Sequence, residues 1–160
     1  MKVIYNIICG RNCLGFRGGL ENMLVRDIMT KNVITASPNN TVLDALKIVK
    51  IHKIRHLPIV DGETLVGIVS DRDLRSVSPS ILASMDIDIL EKTLVKDIMI
   101  KDVITISPNE SVEEAARLLY KHKIGCLPVI ENDKLVGIVT DGDILYCFVE
   151  KYHIDADDVL

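Results

Sequence analysis

Two pairs of residues in this chain have the types and spacing to do chemistry: Ser70 with Asp73, and Thr140 with Asp143. Each pair closes a run that begins at a glycine, Gly67 to Asp73 and Gly137 to Asp143, where an apolar stretch gives way to polar residues. A hydroxyl at such a strand-to-helix junction can cap the amides of the helix start, and the helix dipole favours an anion there. A carboxylate nearly one turn later can accept two hydrogen bonds from a vicinal diol, the group a ribose presents. The same residues also make an ordinary helix cap, and type and spacing alone leave both readings open.

The cations are distributed unequally around these pairs. Arg55-His56 precedes one Leu-Pro dipeptide, where Gly125-Cys126 precedes the other, and Arg72 stands where the second copy has Gly142. An arginine can contact a phosphate through two parallel hydrogen bonds, whereas Gly-Cys offers no charge. Metal chemistry fits less well. His52 and His56 are four apart, but a helix end is expected between them, which removes the shared face that a metal pair needs. Cys9 and Cys13 have no partner pair and read as ordinary thiols, and four unevenly placed cysteines suggest no disulfide framework. The glycines of GRNCLGFRGG lack a following Gly-Lys-Ser/Thr and form no P-loop.

The elements that must position these residues occur twice. Residues 25–74 align with 95–144 at a constant offset of 70, without a gap, and 25 of the 50 positions are identical. Val33-Ile34-Thr35 and Val103-Ile104-Thr105 are β-branched runs stopped by Ser-Pro, and predict short strands. Thr41 with Asp44 and Ser111 with Glu114 have capping-box spacing and predict helix starts. Apolar residues then recur at helical spacing up to His52-Lys53 and His122-Lys123. Leu57 to Val60 and Leu65 to Val69 predict two strands around an Asp-Gly turn, as Leu127 to Ile130 and Leu135 to Val139 do around Glu131-Asn132-Asp133. A last helix should begin near Ser70 or Thr140. The amphipathic stretch from Ile81 to Leu94 predicts a linker helix that covers a sheet edge or a partner surface.

Composition sets the outer limits. With 160 residues, 48% hydrophobic and 26% charged, the chain has the material for an aliphatic core. A net charge of −4 without a basic run argues against sequence-independent nucleic-acid binding. No apolar run approaches a membrane span, and the start lacks the features of a secretory signal, so a cytoplasmic location is expected. The repeats begin only near Met23, which could itself be the start. No nucleophile stands beside a base and an orienting group, so no catalysis is expected, and neither is a metal or a required cofactor.

The paired DIM, Val-x-Thr, Ser-Pro, Leu-Pro, GIVSDRD and GIVTDGD motifs resemble the CBS (cystathionine-β-synthase) domain over roughly residues 24–146. The resemblance implies an α/β fold of tandem repeats at 23–78 and 94–148, joined by a linker at 79–93 and flanked by 1–22 and an acidic tail at 149–160. Each repeat would carry a small three-stranded sheet with helices, and the two would pack with pseudo-two-fold symmetry around two clefts. It further implies a regulatory sensor of adenosine-containing ligands (AMP first, then ADP, ATP or S-adenosylmethionine) that forms a homodimer. The alternative is a structural dimerisation module with no physiological ligand. By that resemblance Ser70, Asp73, Thr140 and Asp143 contact ribose and phosphate. Arg55 and His56 reach the phosphate of the ligand held at Thr140 and Asp143. Arg72, unmatched in the second copy, either serves the Ser70 site or is a solvated surface arginine. Adenine would lie against Ile34, Thr35, Leu57 and Pro58, or against Ile104, Thr105, Leu127 and Pro128, and the other reading of the isoleucines is plain core packing.

Overall fold

A computed structural model of the chain describes residues 23–77 and 84–151. The first repeat runs through helices α1 (Val25–Ile28) and α2 (Val42–His52), strands β1 (His56–Asp61) and β2 (Thr64–Ser70), and helix α3 (Asp71–Ser76). Helix α4 (Ser84–Lys92) follows, and then α5 (Val95–Ile98), α6 (Val112–His122), β3 (Cys126–Glu131), β4 (Lys134–Thr140) and α7 (Asp141–Lys151) repeat the order. The expectations for residues 1–22, 78–83 and 152–160 fall outside the described residues.

Local chemistry accounts for the elements. Thr41 caps α2 by accepting from the Asp44 amide at 3.1 Å, while the Asp44 carboxylate accepts from the Thr41 amide. Ser111 likewise accepts from the Glu114 amide at 3.0 Å, but Glu114 does not return the bond, because Arg117 engages its carboxylate. Those hydrogen bonds hold the Glu114 carboxyl below its ordinary value. Both long helices end on a lysine in the left-handed region, Lys53 at φ 53° and Lys123 at φ 54°, which turns the chain toward the next strand. In the second hairpin Asn132 and Asp133 both take positive φ, as a tight two-residue turn requires, whereas in the first only Gly62 does.

Val33-Ile34-Thr35 and Val103-Ile104-Thr105 do not form strands. Pairing reaches only the next residue: Ala36 bridges Ile59 in parallel, and Ile106 bridges Val129. Ser-Pro follows at once, which leaves no length for a ladder. Each sheet therefore has two strands flanked by single bridges, where three strands were expected. The Leu-Pro dipeptide fits this pattern. Pro58 is opposite Ile68, whose amide and carbonyl both bond Ile100, so the pair needs no donor from proline.

The chain folds as two compact units, and each takes one segment from the other repeat. One unit joins the segment ending at Val33 to residues from Ile104 onward, and the other is Ile34–Val103. In the first, Thr30 exchanges backbone bonds with Ile138 (2.9 and 3.0 Å), and the Val25 and Arg26 amides donate to Glu110 and Pro108 carbonyls. In the second, Ile100 exchanges bonds with Ile68 (3.0 Å each), and the Val95 and Lys96 amides donate to Asn40 and Pro38 carbonyls. The Ser-Pro turns are thus docking points for these segments as well as strand breakers.

Each unit has its own aliphatic core. Val25, Ile28 and Met29 join Leu127, Val129 and Val139 in one; Val95 and Leu90 join Val42, Leu57, Ile59, Val69 and Leu74 in the other. Full burial of a side chain of this size stabilises by roughly 1.5–3 kcal/mol, so α1 and α5 are held by packing despite having only four residues each. Leu90 places the linker helix: α4 packs on α2, with Leu90 in the core that contains Leu57 and Val69. Cys126 is buried and not disulfide-bonded, whereas Cys147 is disulfide-bonded, which the uneven spacing of the four cysteines does not suggest.

Candidate functional site

The strand-to-helix corner has the same geometry in both repeats. Asp73 Oδ2 accepts from the Ser70 amide at 2.8 Å and from Ser70 Oγ at 2.6 Å, and the Asp73 amide donates back to that Oγ at 3.2 Å. Asp143 Oδ2 accepts from the Thr140 amide at 2.8 Å and from Thr140 Oγ1 at 2.7 Å, with the return bond at 3.2 Å. These are complete capping boxes. Each hydroxyl donates to its own aspartate, and in both caps the accepting atom is Oδ2.

The first helical amides are also taken. Asp71 donates to the Arg55 carbonyl at 2.9 Å, and Asp141 to the Gly125 carbonyl at 3.1 Å. The next amide of the second corner, Gly142, donates to Asp141 Oδ1 at 2.7 Å. The second corner is therefore no open cradle of amides for an anion. In sequence, Arg55, His56 and Arg72 stand beside the first corner where Gly125, Cys126 and Gly142 stand beside the second.

Strand register brings those side chains in. His56 is opposite Ser70 across the hairpin, and the Arg55 carbonyl holds the start of α3, so both residues flank the cap of their own unit. Arg55 is exposed, His56 half-buried and Arg72 exposed. Cys126 and Gly125 take the same places beside Thr140. Sequence inspection passed over Arg75, whose Nε donates to Asp71 Oδ1 at 2.9 Å and partly neutralises this corner. Its counterpart is Leu145, 63% exposed. Four alignment columns carry the signal: Arg55, His56, Arg72 and Arg75 face Gly125, Cys126, Gly142 and Leu145, while both aspartates persist.

The expected adenine contacts divide by burial. Leu57 and Leu127 are wholly inside their cores, so their side chains are packing residues, and Pro58 and Pro128 are buried too. Ile34, Thr35 and Ile104 are partly buried and Thr105 is exposed, with both isoleucines resting on the edge of a core. His52 ends α2 and His56 lies on β1, with Lys53 turning the chain between them. Among the described residues no group of three or more His, Cys, Asp or Glu is placed to hold a metal. Among them no helix is long and apolar enough to cross a membrane.

The DIM motif has a structural role that its residue types did not reveal. Asp27 and Asp97 accept from the amides of Leu24 and Leu94, capping the short helices. The methionines lie over the glycines of the GIV motifs. A Cβ built on Gly137 would come within 2.5 Å of Met29 Sδ, and one on Gly67 within 2.5 Å of Met99 Sδ. Glycine opens each strand to the other repeat's methionine. A lone glycine in an apolar strand is the clue that something approaches closely.

Two α/β units with matched capped corners, each built from one repeat and the opening segment of the other, define a tandem-repeat module of one particular kind. The chain belongs to the CBS domain family, which matches residues 25–80 and 95–150. It is 38% identical over 127 residues to the inosine-5′-monophosphate dehydrogenase of Korarchaeum cryptofilum, which covers 79% of this chain but only 23% of that enzyme. Two similar solved structures hold ligands. The CBS domain pair of protein MJ0100, in complex with 5′-methylthioadenosine and S-adenosyl-L-methionine, is 37% identical with a TM-score of 0.69, over 81% of this chain and 98% of that one. CBSX2 in complex with AMP is 33% identical with a TM-score of 0.70, over 81% and 98%.

Proposed function

We propose that this chain is a non-catalytic regulatory module that senses adenosine-containing ligands, with Asp73 and Asp143 as ribose anchors. The observation that carries this reading is the repetition of one corner geometry in both units. The cap fixes the aspartate at the helix start, and a carboxylate held there is the group proposed to accept the two hydrogen bonds of a diol. The bound AMP, methylthioadenosine and S-adenosylmethionine of similar structures share that diol and support the reading. Ile34, Thr35, Ile104 and Thr105 are the side chains proposed to meet adenine, with the backbone of the Leu-Pro dipeptides. AMP is the ligand to try first.

A thermal-shift screen with AMP, ADP, ATP, S-adenosylmethionine and NAD tests it. A ligand at 100 times its dissociation constant stabilises by roughly 2.7 kcal/mol, which for a chain of this size is a rise of about 5–10 °C. Absence of a shift with every compound would leave a structural pairing module as the better account. Turnover of any nucleotide, seen by chromatography, would make the chain an enzyme.

Arg55, with His56 and Arg72, is proposed to select phosphate. Removing one hydrogen bond to a charged group costs roughly 1.5–3 kcal/mol, so Arg55→Ala should weaken AMP by about tenfold or more and leave adenosine unchanged. Equal losses for both, measured by calorimetry, would assign Arg55 a structural part only. Repeating the titration with Ser70→Ala and Thr140→Ala identifies which corner's ligand the arginine serves.

A further inference from the structure

We infer that the segments 24–30 and 94–100 are crossed straps, each fastened by the opposite repeat, so that the local stability of one repeat governs the strap that begins the other. Strap 94–100 has its backbone bonds in the first repeat: Ile100 with Ile68, Val95 to Asn40 and Lys96 to Pro38. Its fully buried Val95 and the flanking Ile98 and Met99 pack in the core that contains Leu57 and Val69. Strap 24–30 is held in the mirrored way, by Ile138, Glu110 and Pro108, with Val25, Ile28 and Met29 in the core of Leu127 and Val139.

The consequence lies in local opening. A four-residue helix has no stability of its own in water, so α1 and α5 open when their docking surface loosens. Opening units follow contiguous packing and not sequence repeats. Damage to the first repeat's core therefore frees the start of the second repeat, and damage to the second repeat's core frees the start of the first. The two glycines set the fit of each strap, since Met99 lies against Gly67 and Met29 against Gly137.

Hydrogen exchange on the full, ligand-free chain tests this with Leu57→Ala in one core and Leu127→Ala in the other. With Leu57→Ala the amides of Val95, Lys96 and Ile100 should exchange roughly tenfold faster or more, while Val25, Arg26 and Thr30 stay near wild-type rates. Leu127→Ala should give the reverse. If either alanine leaves too little folded protein, Gly67→Ala, which crowds Met99 and the Ile100 carbonyl, should release 94–100 alone. The inference is overturned if 94–100 responds to Leu127→Ala and not to Leu57→Ala, or if both straps respond equally to each substitution.

Discussion

Gly137→Ala should destabilise the protein by about 1–3 kcal/mol, the usual range for an added methyl in a filled core. That is a fall in Tm of very roughly 2–4 °C per kcal/mol for a chain of this length. The added Cβ would lie 2.5 Å from Met29 Sδ, 3.0 Å from its Cγ and 3.3 Å from its Cβ. Met29 is 6% exposed and belongs to the core, so it has little room to swing away. The origin of the cost can be isolated, because the three nearest atoms in the way all belong to one side chain. In a Met29→Ala background, Gly137→Ala should cost much less than it does alone, and a double-mutant cycle reads the difference. Additive losses would show that the glycine is needed for strand conformation and not for the methionine. At Gly67 the Ile100 carbonyl, 3.1 Å from the new Cβ, adds a backbone obstacle. Truncating Met99 should therefore rescue Gly67→Ala only in part.

The contrast between the visible and the hidden parts of this fold is physical. Caps were legible because their chemistry is local: Thr41 with Asp44, and Ser70 with Asp73, bond across three residues. The helix ends at His52 and His122 were legible from the periodicity that stops there. What could not be read were contacts between distant segments. Nothing in Val33-Ile34-Thr35 reveals that its partner strand offers one bridge only, at Ala36. The exchange of straps was invisible for a further reason. Two repeats that share half their residues, including the GIV motif of the docking strand, present alike docking surfaces, so Ile100 could by sequence alone pair with Ile68 or with Ile138, and only the fold decides. The candidate site was half legible. Its hydroxyl–carboxylate pairs and Arg55-His56 stood out by type and spacing, but the use of each hydroxyl proton within its own cap is a matter of geometry.

That internal use bears on what the aspartates do, and a pair of substitutions separates the two roles. Asp143→Asn keeps an oxygen able to accept from the Thr140 amide and hydroxyl, the two bonds that make the cap. Stability should then change by less than about 1 kcal/mol, since the cap survives. A diol, however, would lose its charged acceptor, a difference of roughly 1.5–3 kcal/mol, so affinity for adenosine at this corner should fall by about tenfold or more. Asp143→Ala removes the acceptor altogether and should cost the cap as well, about 0.5–2 kcal/mol of stability. The choice of ligand makes the test sharper. A 2′,3′-dideoxyadenosine has no diol to offer, so its affinity, weaker from the outset, should be the same for wild type and Asp143→Asn. If adenosine also binds both proteins equally while Asp143→Ala loses stability, the carboxylate is a helix cap and nothing more, and Asp73 falls with it because the two corners share one geometry. If adenosine alone discriminates, the aspartate has two functions in one rotamer: Oδ2 sets the helix start, and that anchoring aims the rest of the carboxylate at the ribose.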